Sequence, residues 1–236
     1  MYHSITFGDK NTWDDWKLVP TSRPVITPPE PKTNYVDIPG SNRQLDLSEV
    51  LAGRPTYNYR EGSFEFYVAD RKTTWHEIYA AVMEHLHGCT MKMILEDDPN
   101  HYWEGRFAVN SWESEEMNSK ITIDYHVYPY RFNTWTSAGD WLWDPFSFET
   151  GLALDYSNIA VKGYKEMIIA GSQMPVKPVV SAWIPAGKTL ELWFDNDFYT
   201  LHNGKNDLNI VIDAGEHKIS LVGHGRVKII YRGGRL

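Results

Sequence analysis

The chain has 236 residues, with 23 Lys and Arg against 31 Asp and Glu, a formal net charge of −8. Such a balance offers no cationic field for a phosphate backbone, and the length suits one large domain or two small ones. A mean hydropathy of −0.46 and the lack of any apolar run of about 18 residues argue against a membrane span, and one cysteine, Cys89, excludes an intrachain disulfide or a multi-cysteine metal site.

The start, Met1-Tyr2-His3-Ser4-Ile5, lacks the cationic and apolar stretches of a secretory signal. Ile5-Thr6-Phe7 predicts a short strand. A polar turn follows, then an amphipathic stretch ending in Trp13-Asp14-Asp15-Trp16. Pro20, Pro24, Pro28, Pro29 and Pro31 remove ladder donors, so this stretch is expected as an extended connector or a sheet edge. Tyr35-Val36-Asp37-Ile38 reads as a strand closing at Pro39-Gly40. From Phe64 the period is two: Phe64, Phe66 and Val68 share one face, and Glu65, Tyr67 and Ala69 the other.

One helix is expected. Thr74 and Glu77 form a capping box, and Trp75, Ile78, Tyr79, Val82 and Leu86 make one apolar stripe. Gly88 is its stop. Strands resume at Tyr102–Val109 and at Ile121, Ile123, Tyr125 and Val127, with Glu113-Ser114-Glu115-Glu116 as the turn between them. A boundary is expected between 1–132 and 133–236, where Asn133–Gly139 loses periodicity. Beyond it, short strands recur: Val179–Ile184, Leu190–Phe194, Leu208–Asp213, and the segments around Ile219–Leu221 and Val227–Tyr231. Turns every 8–12 residues are the spacing of a sandwich or jelly roll. The expected class is mainly β: an N-terminal β-barrel or sandwich-type domain with one helix, then an all-β sandwich. Aromatic content of 14% fits half-buried pleated surfaces and interfaces.

No pattern points to catalysis. Cys89 stands near His85 and His87 but among Glu84, Glu96, Asp97 and Asp98, which disfavour a thiolate, so a semi-buried structural thiol is expected. On a helix, His85 and His87 point about 200° apart, which is wrong for joint metal ligation. Asp195-Asn196-Asp197 lacks the glycine and distal glutamate of a calcium loop and reads as a hairpin turn; Gly204-Lys205-Asn206 reads as a lone turn. No catalytic residue, metal or cofactor is therefore assigned, and no enzymatic activity is expected. Trp183, Trp193 and Tyr199 are candidates for stacking a sugar ring, with a core or subunit-contact role as the alternative. Trp193 is out of phase with Leu192 and Phe194, so it points away from their apolar face.

The order of these features resembles the distal tail protein (Dit) family of long-tailed, non-contractile bacteriophages. The matching stretches are Ile5-Thr6-Phe7-Gly8 with Trp13-Asp14-Asp15-Trp16; Val36-Asp37-Ile38-Pro39-Gly40; Leu45-Asp46-Leu47-Ser48; Gly53-Arg54-Pro55-Thr56-Tyr57; Phe64-Glu65-Phe66; the helix; and Glu104-Gly105-Arg106-Phe107. Ile121-Thr122-Ile123 through Pro129-Tyr130-Arg131, Pro185-Ala186-Gly187, Gly215–Leu221 and Val227–Gly234 continue the match. The family usually has a glycine soon after the Pro-Gly turn; here Ser41-Asn42-Arg43-Gln44 stands instead.

The resemblance implies a hexameric ring of N-terminal domains with projecting galectin-like or carbohydrate-module-like domains. It implies contacts with tail tube protein on one face and with a tail-associated lysin or tip protein on the other. A receptor-binding protein or host saccharide would be a further partner. The place would be the virion tail tip, assembled in the host cytoplasm, with no membrane contact and no specific nucleic-acid binding. DNA would only pass through an acidic lumen. Strands around Phe64, Phe66 and Val68 and around Ile121, Ile123 and Tyr125 are the candidates for ring contacts, because open sheet edges need partners and head-to-tail contacts can close a ring. The alternative function is recognition of host-surface saccharide through the C-terminal sandwich.

Overall fold

The computed structural model describes residues 2–69, 75–114, 119–134 and 156–236. It is mainly β, with a single helix among these residues, and its contacts form two units: Met1–Arg131 with Leu236, and Phe132–Arg235. Thr74, Glu115, Glu116 and most of the segment expected as the domain boundary lie outside the described residues.

In chain order, the first unit contains β1 (Ile5–Phe7), β2 (Lys10–Asn11), β3 (Leu18–Pro20), β4 (Tyr35–Asp37), β5 (Gln44–Asp46), β6 (Arg60–Val68), α1 (Trp75–Leu86), β7 (Thr90–Leu95), β8 (His101–Ser114) and β9 (Ser119–Val127). Its main sheet is antiparallel and runs β2-β1-β7-β8-β9-β6-β3. The two-residue period becomes burial: Phe64 and Phe66 on β6, and Ile121, Ile123, Tyr125 and Val127 on β9, all enter one core with Ile5, Phe7, Leu18 and Phe107. On the other face Lys120 pairs with Glu65 at 2.7 Å, and the His126 ring lies 2.8 Å from the Glu61 carboxylate. Helix α1 adds Ile78, Val82 and Leu86 to that core, and Tyr79 stacks on Trp112 with ring centres 4.6 Å apart. Gly88 ends the helix in the left-handed region at φ 76°, and its N–H donates to the Phe107 carbonyl, steering the chain into β7 beside β8. Cys89, expected to be semi-buried, is exposed.

The proline stretch builds no ladder beyond β3. One bridge joins Pro31 to Tyr57, and the Thr27 N–H donates to the Tyr125 hydroxyl at 3.2 Å.

Strand β10 (Arg131–Asn133) opens the passage to the second unit, whose strands are β11 (Ile159–Ala170), β12 (Val179–Trp183), β13 (Leu190–Phe194), β14 (Asp197–Thr200), β15 (Gly204–Asn206), β16 (Glu216–Ile230) and β17 (Gly234–Arg235). The long β16 organises the sheet. Strand β11 follows one of its edges from Ile159, opposite Val227, to Ala170, opposite Glu216. The other edge is shared end to end by β13, at Ile219–Gly223, and β12, at Arg226–Ile230. Where one hands over to the other, Gly223 adopts φ 123°, and a side chain there would collide with the Thr189 carbonyl. Odd-numbered β16 residues Ile219, Leu221, Val227 and Ile229 face a core completed by Val161, Ile169, Val180, Leu190, Leu192 and Ile210. This gives a curled sheet packed on its own apolar side, a β-sandwich-type unit.

Two local expectations change. Gly204–Asn206 is a strand on β12, not a lone turn. Leu208, Ile210 and Ile212 are buried as their alternation requires, yet the segment makes one isolated bridge, Val176 to Ile212, and no strand.

Candidate functional site

Because β16 alternates strictly, its even-numbered residues define an outer face of the second unit. Lys218, Ser220, Val222, His224, Arg226 and Lys228 lie there. Register then assigns the neighbours. Glu166 on β11, Ser220 on β16, Trp193 on β13 and Phe198 on β14 form one cross-strand row. Tyr164, Val222 and Glu191 form the next. Tyr164 is 61% exposed, Phe198 62% and Trp193 41%.

The β13–β14 hairpin turns at Asp195-Asn196, as its composition predicts, with Asp195 in the left-handed region at φ 50°. That turn aligns Trp193 with Phe198, their ring centres 5.4 Å apart and tilted by 31°. Below the turn, the His217 ring stacks on Phe194 at 5.2 Å, with Nδ1 at 3.4 Å from Asp195 and Nε2 at 3.2 Å from Asp213.

Tyr164, Trp193, Asp195, Lys218, Ser220 and Val222 line an open groove on this face. The Tyr164 hydroxyl donates to Glu166 at 2.5 Å and lies 3.3 Å from the Ser220 hydroxyl, while the Lys218 ammonium sits 2.9 Å from the same carboxylate. The Tyr164 hydrogen bond, then Lys218, holds the Glu166 carboxyl below its ordinary range, and Glu166 in turn raises Lys218.

The three aromatic residues singled out from sequence do not converge. Trp193 lines the groove. Trp183 is exposed on the same face, but it pairs with Arg226, six β16 positions from Ser220, roughly 20 Å along the strand. Tyr199 faces the other way: it packs against the unit's core, and its hydroxyl donates to the Asn209 carbonyl. Tyr164, which lines the groove, and Phe198, whose ring flanks Trp193, were missed; Tyr164 reaches Trp193 only through β16.

The ring-contact candidates need a larger correction. Phe64, Phe66, Ile121, Ile123 and Tyr125 are buried in the first unit's own core, and Val68 packs half-buried against it. Nor does β9 offer an open edge, since it pairs with β8 on one side and β6 on the other. These side chains pack within one chain.

A different element of that unit is uncovered. Strands β4 and β5 form a separate two-stranded sheet, with Tyr35 opposite Asp46 and Val36 opposite Leu45. Tyr35, Val36, Ile38, Leu45 and Val50 are exposed, and Leu51 fully so. The hairpin is tied mainly to itself, by the Gln44 amide donating to Asp37 at 2.8 Å and the Asn34 N–H to the Ser48 hydroxyl at 2.8 Å.

His85 and His87 serve the fold. His85 Nε2 lies 2.9 Å from the Phe7 carbonyl, and His87 Nδ1 accepts from the Val109 N–H at 3.1 Å. Among the described residues no helix is long and apolar enough to cross a membrane.

No protein-family model and no curated protein matches the chain. Among solved structures it is similar to the Dit protein (gp 19.1) of phage SPP1, described as a paradigm of the hub adsorption apparatus in phages infecting Gram-positive bacteria. The two share 10% identity and a TM-score of 0.64, with 99% of each chain covered. Both units of this chain therefore take a Dit-like fold.

Proposed function

We propose that this chain is a non-enzymatic hub subunit at the distal end of a phage tail. Copies close into a ring, taken as hexameric, between the tail tube protein and the tip proteins that carry host recognition. The observation that carries this reading is the end-to-end likeness to a phage hub protein, covering 99% of each chain. The hairpin β4–β5 supports it independently. A lone two-stranded hairpin is marginal in water, and this one exposes Tyr35 on one face and Val36 and Leu45 on the other. An adjoining copy would cover both, which makes residues 34–53 the ring-forming arm in place of the β6 and β9 side chains. The net charge of −8 suits a collar whose lumen passes DNA without holding it.

Light scattering on the purified full chain tests the reading. Six copies of 27.3 kDa make a particle of about 164 kDa. That mass, lost on deleting the arm, supports the proposal; a monomer of 27.3 kDa at every concentration defeats it.

A further inference from the structure

Beyond the hub role, the geometry points to a binding site for a neutral saccharide in the second unit, with a pyranose ring stacked on Trp193 in the groove it shares with Tyr164. Trp193 stands between Ser220 and Phe198 in the row Glu166–Ser220–Trp193–Phe198, and Phe198 flanks its ring from the side. Three aromatic residues on this one face, Tyr164, Trp193 and Phe198, are exposed to water. Around them stand hydroxyls (Tyr164, Ser220), an ammonium (Lys218) and carboxylates (Glu166, Asp195), so donors and acceptors alternate within one ring's reach. A sugar ring matches this pattern: its C–H face is apolar and its hydroxyl rim both donates and accepts.

Charge and topology narrow the occupant. Lys218 is already neutralised by Glu166 at 2.9 Å, so the groove presents no spare cation to attract an anion. A peptide could not add as a strand here, because β13 is flanked by β14 and β16, and β16 by β11 and β13. Recognition must come from side chains on a sheet face.

The test is a titration of the full chain with a panel of neutral di- and tetrasaccharides of hexoses and N-acetylhexosamines. Tryptophan emission and calorimetry are the readouts. The expected result is saturable binding of at least one member, weakened about tenfold or more in Trp193→Ala and partly kept in Trp193→Tyr. Trp183→Ala, outside the groove, should bind as the parent does. Melting curves of the Trp193 variants should match the parent, since the side chain is 41% exposed and off the core. Three results overturn the inference: no panel member binds saturably; Trp193→Ala binds undiminished; or only anionic sugars bind, with affinity lost in salt. Capture of a protein through Trp193 with no sugar binding overturns it too. None of these outcomes bears on the particle mass, so this site and the hub role fail separately.

Discussion

Truncating Phe66 separates a core role from a contact role. Its side chain is fully buried, lies across from Ile121 on β9 and Pro20 on β3, and sits 6.4 Å from the Phe64 ring. Removing it leaves a cavity between strands paired on both sides, which cannot collapse cheaply, so Phe66→Ala should cost about 3–5 kcal/mol. For a unit of this size, each kcal/mol moves the midpoint by roughly 3–5 °C, so the first unit's transition should fall by about 10–20 °C. The control is Leu51→Ser on the arm. Leu51 is fully exposed, so this change should leave the unassembled chain within about 0.5 kcal/mol of the parent while weakening assembly. Calorimetry and light scattering on both variants, with melting done at a concentration where the chains are monomeric, give the comparison. A Phe66→Ala protein that melts with the parent but loses its assembled mass would place Phe66 at the subunit contact and refute this reasoning.

Gly223→Ala forces a side chain into a backbone at φ 123° and against the Thr189 carbonyl, and should destabilise the second unit by at least about 1–3 kcal/mol in urea melts. Tyr231, whose hydroxyl donates to the Ala170 carbonyl at 2.9 Å, has its ionisation pushed well above the usual 10.0 by burial. The fold therefore favours the neutral phenol. Its contribution is complete below pH 10 and declines as pH rises further, so Tyr231→Phe should melt with a flatter alkaline slope, measured between about pH 9 and 11. In the groove, Glu166 should titrate below an ordinary glutamate by NMR, and Tyr164→Phe should move it back up.

Much of this fold is written in two-residue alternation. Phe64-Glu65-Phe66 and Ile121–Val127 show which side chains share a face, and the phase of Trp193 against Leu192 and Phe194 places it outside. Alternation does not say whether the shared face meets the chain's own core or another molecule. That depends on β6 pairing with β9 in the middle of a sheet, a long-range register no local pattern encodes. This is why side chains expected at a ring contact lie in the unit's own core. The same gap explains Leu208, Ile210 and Ile212, where alternation reports burial without a ladder. It also explains Tyr164, which joins the groove beside Ser220, a residue 56 positions further along the chain. The arm has the opposite character: Tyr35, Val36, Ile38 and Leu45 are strand-forming residues with no covered face in one chain. Their exposure is visible only once the rest of the unit is seen to be complete without them.

The most direct check is electron microscopy of the purified full-length protein beside its arm-deleted variant. Closed rings with a central hole, dispersed by removing residues 34–53, are the predicted outcome. Solitary particles of single-chain size, or rings that persist without the arm, would contradict the account.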